Sequence, residues 1–240
     1  MDNWRKGEHL NPIVKLVLFD IDGTLIRTGG AGVKAFEETF KSVFAIPEAT
    51  RTLKFAGRTD TSLVREGFVL HGIEPSAQNF EKFFNAYPEL LEQLLRQLPG
   101  AVCEGVNSFI AGIHGFSPRP TLGLLTGNIR RGAELKLSHY GLWQHFPFGG
   151  FGDDHEDRNC IATVAKERGE RMLGQELRGE EIVVIGDTPL DVACAKSIGA
   201  KVIAVGTGNY TAAELQKSEP TWAVDHLGRL DAQAVLNGGS

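Results

Sequence analysis

Residues 17–25 restrict the fold more than any other part of the sequence. They read Val-Leu-Phe-Asp-Ile-Asp-Gly-Thr-Leu, so an apolar run ends in two carboxylates, Asp20 and Asp22. Such a run predicts a strand buried on both faces of a parallel sheet. Residues two apart leave a strand on the same side, and we expect the carboxylates to converge at its carboxyl end, where open α/β sheets bind ligands. Two such close anions repel unless a cation separates them or one is protonated, which favours a metal-assisted reaction.

The composition limits the class of protein. The chain has 240 residues, 42% of them hydrophobic, and a formal net charge of -5, so it can bury a large core. The acidic balance gives no electrostatic reason to expect binding to nucleic acid or to an anionic membrane. Cys103, Cys160 and Cys194 are far apart and predict neither a disulfide framework nor a CxxC site. Residues 1–9 contain no apolar signal region and no segment is long enough to span a bilayer, which predicts a cytoplasmic protein.

Hydrophobic periodicity divides the chain into two parts. After a strand at 13–19, a helical pattern extends from about residue 31 to residue 98, with a break or kink expected at Pro88. From residue 101 onwards strands alternate with helices, and this alternation predicts an α/β fold with a doubly wound parallel sheet. The predicted strands after the first are 122–125, 182–185, 202–205 and 222–224. We therefore expect a core domain of residues 1–30 and 101–240 and an inserted all-helical domain of residues 31–100.

A second signal follows the strand predicted at 122–125. The sequence there delivers the hydroxyl of Thr126 and then a tight turn at Gly127 and Asn128, directly before a predicted helix. A hydroxyl beside the amides that lead into a helix suits a phosphate oxygen. A threonine cap followed by a glycine turn is the structural alternative.

Two further signals lie at or near strand ends. Asp187 follows the strand at 182–185 and Asp191 comes four residues later, in the first turn of the next helix. Both carboxylates can face the crevice, and Mg²⁺ accepts a few such oxygen ligands while keeping several waters. The acidic run 153–157 is typical of a solvated loop, but Arg158 supplies the cation that a phosphoryl group and these carboxylates need.

Together the four signals resemble the haloacid dehalogenase superfamily, whose phosphatases carry Asp-x-Asp-Gly-Thr, a Ser or Thr, a Lys or Arg, and Gly-Asp-x-x-x-Asp in this order. The similarity spans nearly the whole chain and is greatest to the phosphoglycolate-phosphatase-like branch with a helical C1 cap. The resemblance implies a phosphomonoester hydrolase that acts on a small phosphorylated metabolite through an aspartyl-phosphate. It also implies a Rossmann-like core with a sheet of strand order 5-4-1-2-3.

The resemblance also implies a role for each motif residue. Asp20 would be the nucleophile and Asp22 the general acid and base. Mg²⁺ would be held by Asp20, Asp187 and the backbone carbonyl of Asp22. Thr126 and Arg158 would bind phosphoryl oxygens.

Supporting and substrate-binding residues follow from the same resemblance. Asp191, Gly127 and Asn128 would support the site, with Asp191 positioning Arg158 or a metal-bound water. The segment 55–60 resembles the substrate-specificity loop of the branch, so Arg58 and Thr59, together with Gly23, are the expected substrate contacts. A glycine turn with Thr59 as a helix cap is the alternative for that segment.

The sequence departs from the family pattern at the third motif, where lysine is most common. Between Thr126 and Asp187 the only lysines are Lys136 and Lys166, and both fall inside predicted helices. Arg158 is therefore the predicted cation, since a guanidinium binds phosphoryl oxygens through a fork of donors.

Two other functions stay open at this point. A phosphosugar mutase similar to β-phosphoglucomutase would share the core, the cap and both aspartates. A phospho-acceptor signalling domain would also place acidic residues, a threonine and a cation around a parallel sheet. The sequence specifies neither the substrate nor whether the protein is a monomer or a homodimer.

Overall fold

A six-stranded parallel sheet lies at the centre of the structure, a computed structural model that describes residues 13–238. The prediction about residues 1–9 therefore lies outside the described residues. The strands are ordered β5-β4-β1-β6-β7-β8, with β1 in the middle, paired to β4 and β6. This order contains the predicted 5-4-1-2-3 arrangement and extends it by one edge strand. The strands of this sheet are β1 (Leu16–Phe19), β4 (Thr121–Leu125), β5 (Gly149–Gly150), β6 (Ile182–Gly186), β7 (Lys201–Val205) and β8 (Trp222–Val224).

Helices cover both faces of the sheet, which confirms the predicted doubly wound α/β class. Successive residues of β1 belong to different cores, because side chains alternate across a strand: Val17 and Phe19 pack on one side, Leu16 and Leu18 on the other. The helices of the described residues are α1 (Ala31–Phe44), α2 (Asp60–Leu70), α3 (Ala77–Gln97), α4 (Val106–His114), α5 (Arg130–His139), α6 (Arg158–Leu173), α7 (Pro189–Ser197), α8 (Ala212–Leu215) and α9 (Ala232–Leu236).

Helices α1, α2 and α3 form the helical insertion, which has a separate hydrophobic cluster that also takes in Ile129 of the core. Phe36, Phe40, Phe68, Phe83 and Tyr87 are buried there and meet mainly edge to face, the arrangement that aromatic rings prefer. The insertion follows the predicted organisation, whereas the exact domain bounds at residues 30 and 100 stay a prediction.

Of the break or kink predicted at Pro88, the break is wrong. Helix α3 continues through Pro88 from Ala77 to Gln97. A proline inside a helix removes one backbone hydrogen bond. The buried face of the same helix, with Tyr87 and Leu91 on either side of Pro88, outweighs that loss.

A short antiparallel ribbon connects the helical insertion to the sheet. Strand β2 (Ile26–Arg27) pairs with β3 (Ala101–Val102), so the chain enters and leaves the insertion side by side. The sequence did not predict this ribbon, because two-residue strands carry no measurable periodicity. Gly29 lies in the entering segment with a φ of 62°, and a Cβ there would lie 1.9 Å from the backbone oxygen of Pro99.

Among residues 13–238, none of the helices is both long enough and apolar enough to cross a membrane.

Candidate active site

Three adjacent strands of the sheet end in polar side chains that meet at one edge. Asp20 follows β1, Thr126 follows β4 and Asp187 follows β6, and all three are buried. Because β1 lies between β4 and β6, their carboxyl ends open into the same crevice. Carboxylate oxygens of Asp20, Asp187 and Asp191 lie within 4.8 Å of one another, so the structure brings together acidic residues that are 171 positions apart at most.

The backbone around Asp187 leaves little room for any other arrangement of its carboxyl group. A Cβ on Gly23 would lie 2.5 Å from Asp187 Oδ2, and Gly23 has a φ of 85°. A Cβ on Gly208 would overlap the same oxygen. On the other side, Thr24 donates its hydroxyl proton to Asp187 Oδ1 at 3.0 Å. Glycine at both positions therefore allows the carboxyl group to sit between two backbone segments.

Burial dominates the electrostatics of these carboxyl groups. Burial raises the pKa of Asp20, and Arg158 opposes this rise. Burial also raises the pKa of Asp187, and the charges of Asp191 and Asp20 add to it. Without a cation between them, the carboxyl groups therefore resist simultaneous ionisation, as expected for anions that share a site.

Arg158 is the cation nearest to Asp20. It is the first residue of α6 and is only 8% exposed. Its Nη2 atom lies 3.0 Å from Asp20 Oδ1 and donates a hydrogen bond to Asp191 Oδ1. The other Asp191 oxygen accepts from the backbone and the hydroxyl of Thr188, at 2.9 and 2.7 Å, so Asp191 is held in place. Asp191 thus orients Arg158 beside the Asp20 carboxyl group.

A second polar network joins Thr126, Asn128, Asp22 and Lys136. Asn128 donates from Nδ2 to Thr126 Oγ1 and to Asp22 Oδ2, both at 2.8 Å. Lys136 Nζ donates to the same Asp22 oxygen and to Asn128 Oδ1, both at 2.6 Å. Sequence reasoning missed Lys136, which is a buried residue of α5 and lines the crevice.

A cavity of about 520 Å³ separates the strand ends from the helical insertion. Its wall includes Gly23, Gly127 and Arg58 as well as Asp20 and Asp187. The Arg58 guanidinium pairs with Glu66 of α2 and is about one third exposed. Thr59 does not line the cavity: its hydroxyl accepts from Ser62 N as the cap of α2 and donates to the backbone oxygen of Glu156 at 3.0 Å.

The start of α2 is hydrogen-bonded to the core loops. Asp60 donates its backbone N–H to Gly127 O at 2.8 Å, and its Oδ2 accepts from Ile129 N at 2.8 Å. Thr61 donates to Gly152 O at 3.0 Å. A Cβ on Gly127 would lie 2.2 Å from the backbone oxygen of Arg58. Glycine at 127 therefore permits the insertion to approach this closely.

The buried Asp60 predicts a pH-dependent stability. Burial raises its pKa from 3.8 to about 7, and Lys136 opposes this. Since the folded-state pKa is the higher one, the stabilisation is complete below pH 3.8 and is lost as the pH rises towards 7. We expect Asp60→Asn to remove this loss and to raise the free energy of unfolding by roughly 4 kcal/mol at pH 8, relative to wild type, but little at pH 4.

Urea unfolding at both pH values measures this effect. Asp225→Asn, which replaces an exposed carboxylate of the core domain, is the matched control and should leave the free energy of unfolding nearly unchanged. Parallel pH profiles for wild type and Asp60→Asn would contradict the prediction.

Comparison with known proteins agrees with this geometry. Residues 17–205 match the model of the haloacid dehalogenase-like hydrolase family. The probable phosphatase IndB of Dickeya dadantii is 28% identical, over 88% of this chain and 89% of its own. The phosphoglycolate phosphatase of Agrobacterium fabrum is 24% identical, over 91% of both chains. The crystal structure of a predicted phosphatase from Clostridium acetobutylicum shares the fold with a TM-score of 0.68 and 17% identity, over 92% of this chain and 98% of its own.

The parallel sheet, the buried carboxylates at the ends of its strands and the family match together define the class of protein as an α/β hydrolytic enzyme. The chain belongs to the haloacid dehalogenase-like hydrolase family, because the family match covers most of its length.

Proposed function

We propose that the protein is a Mg²⁺-dependent phosphatase that hydrolyses a small phosphorylated metabolite. The observation that supports this most is the position of the Asp20 carboxyl group. It is buried at the end of β1, with Arg158 on one side, Asp187 close by and the cavity in front. A nucleophile in such a place has a cation beside it and space for a phosphoryl group.

The reaction would proceed in two displacements. In the first, a carboxylate oxygen of Asp20 attacks phosphorus, the bond to the ester oxygen breaks, and Asp22 gives its proton to the departing alkoxide. In the second, water attacks the phosphorus of the aspartyl-phosphate and passes a proton to Asp22, so that inorganic phosphate leaves and Asp20 is restored. Asp22 suits this role because its side chain is 44% exposed and faces the cavity.

Binding of the phosphoryl oxygens would fall to Arg158 and Thr126. Arg158 Nη2 already lies close to Asp20, and the bond from the same atom to Asp191 fixes the direction of the guanidinium. Thr126 is buried and its hydroxyl oxygen accepts from Asn128, which leaves its proton available to a ligand. A fixed cation and a fixed hydroxyl reduce the reorganisation needed as charge develops in the transition state.

The residues at this edge of the sheet fit a divalent cation. The carboxyl groups of Asp20 and Asp187 lie close together, and burial raises the pKa of each. Gly23 and Gly208 leave the space that the Asp187 carboxyl group occupies. The carboxylates of Asp20 and Asp187 and the backbone carbonyl of Asp22 would hold Mg²⁺, which prefers oxygen ligands. When bound, the ion would neutralise negative charge and orient the phosphoryl group. Asp191 would not be a ligand, because Arg158 and Thr188 occupy its oxygens.

The helical insertion, assigned to residues 31–100, would act as a cap over the cavity. Arg58 is the substrate contact we propose on the cap, since it lines the cavity and can exchange Glu66 for an anionic group of the substrate. The name of the Agrobacterium fabrum relative makes phosphoglycolate the first candidate, because its carboxylate would be such a group. The hydrogen bonds that join the start of α2 to the core loops would hold the cap over the cavity and so exclude water from the reacting centre.

Phosphate release from a panel of phosphorylated metabolites, with Mg²⁺ and after chelation, tests this function. We expect multiple turnovers on at least one compound with Mg²⁺ and a loss of more than about a hundredfold without it. A preference for phosphoglycolate over ethyl phosphate, which lacks the carboxylate, would support the role of Arg58. Isomerisation of a phosphosugar without net phosphate release would contradict a hydrolase and favour a mutase.

A further inference from the structure

Lys136 is a buried lysine with only two side-chain partners among the described residues. Its side chain is 5% exposed, and its ammonium group donates to Asp22 Oδ2 and Asn128 Oδ1, both at 2.6 Å. Removing an ammonium group from water is costly unless charged or polar partners compensate. A lysine at this depth is therefore held by a specific arrangement, unlike the many exposed lysines of the surface.

Only one of the two carboxyl oxygens of Asp22 accepts hydrogen bonds from the described residues. Its Oδ2 accepts from Lys136 at 2.6 Å and from Asn128 at 2.8 Å. Within residues 13–238 no protein group donates to its Oδ1. Since Asp22 lines the cavity and is 44% exposed, the geometry fixes one carboxyl oxygen and leaves the other for a ligand.

The backbone near Lys136 is adapted to the position of its ammonium group. Gly32 lies in the first turn of α1, and a Cβ at this residue would lie 3.3 Å from Lys136 Nζ. The Lys136 side chain thus extends from core helix α5 towards the helical insertion, where glycine at 32 leaves room for its ammonium group. Asn128, which follows β4, completes the arrangement from the sheet side.

We propose that Lys136 is a positioning residue that aims Asp22 Oδ1 at the oxygen of the leaving group. The proposal rests on the proposed function, in which Asp22 exchanges a proton with that oxygen. A general acid acts only within hydrogen-bond reach of its target, and small displacements of a reacting group are costly in rate. Lys136 itself does not touch the reacting atoms; it acts through Asp22.

Leaving groups that differ in their need for a proton test this role. With Lys136→Met we expect kcat/KM on an alkyl phosphate to fall by about thirtyfold or more, because an alkoxide cannot leave unprotonated and kcat/KM reports the steps up to its departure. On p-nitrophenyl phosphate the fall in kcat/KM should stay below about threefold, because the nitrophenolate leaves as an anion and the attack of water, in which Asp22 acts as the base, comes after this step. Lys136→Arg should restore part of the kcat/KM that is lost on the alkyl phosphate.

Lys166→Met is the matched control, because Lys166 lies on α6 beside Glu170 and does not line the cavity. Equal losses on both substrates, or no loss on either, would overturn the assignment of Lys136 while the proposed function stands. A folded wild-type protein that releases phosphate from neither substrate would instead overturn the proposed function, and this assignment with it. If Lys136→Met does not fold, Lys136→Gln replaces it and is judged by the same comparison.

Discussion

Asp20→Asn is expected to lower phosphatase turnover by more than about a hundredfold while the protein stays folded. The amide of asparagine cannot attack phosphorus and form the acyl-phosphate, so the first displacement is lost. Stability should not suffer, since burial already raises the pKa of Asp20 and a neutral group is tolerated better there than a carboxylate. Arg158 keeps its hydrogen bond to Asp191 in this variant.

Steady-state phosphate release and a thermal melt measure the two parts of this prediction. Asp153→Asn is the control, because Asp153 is exposed and its carboxylate caps Arg130 N, which an asparagine oxygen can still do. Activity of Asp20→Asn above about a hundredth of wild type would remove the nucleophile role. An unfolded variant would show that the negative charge is needed for the fold.

Arg158→Ala is expected to lower kcat/KM by about a hundredfold or more, because it removes the fixed cation beside the phosphoryl site. It also leaves the buried carboxyl groups of Asp20 and Asp191 close together without the cation that pairs with both. We therefore expect a lower melting temperature than that of wild type. Arg158→Lys should lose much less, about tenfold, since a lysine keeps the charge but not the fork of donors. Kinetics measured well below the melting temperatures separate the two effects.

Arg168→Ala is the matched control for this prediction. Arg168 lies on the same helix and does not line the cavity. It forms a bidentate ion pair with Asp154 through two hydrogen bonds of 2.7 Å each. Its loss should leave kcat/KM nearly unchanged. Unchanged kinetics for Arg158→Ala would mean that another cation serves the phosphoryl group, and Lys136 would then be the first to consider.

The core sheet could be predicted because its strands are apolar runs that end in motif residues. The run before Asp20 and the run before Asp187 are both buried on two faces, as their composition indicates. The order of the sheet followed from the family resemblance rather than from periodicity. The edge strand β8 was predicted as a strand, but its place in the sheet depends on long-range pairing with β7 that the sequence does not specify.

The candidate site was predicted less completely than the sheet. Asp20, Asp187 and Asp191 meet as their strand ends suggest, and Arg158 lies beside them although no local pattern specifies its direction. Lys136 was set aside because it lies inside a helix. Helical spacing does place it with Gly132 and Ala133 on the buried side of α5, and this was the available signal. That an ammonium group on this side reaches Asp22 depends on the long-range packing of α5, which contacts α3 of the insertion.

Segments β2 and β3 pair with each other at the root of the helical insertion. The two segments that connect the core to the insertion therefore lie side by side, and the insertion interrupts no strand of the six-stranded sheet. Sequence change within the inserted helices can accumulate without altering the strand ends that carry Asp20 and Asp187. A change in the inserted helices can in this way reshape one wall of the cavity while the opposite wall, at the ends of the strands, stays as it is.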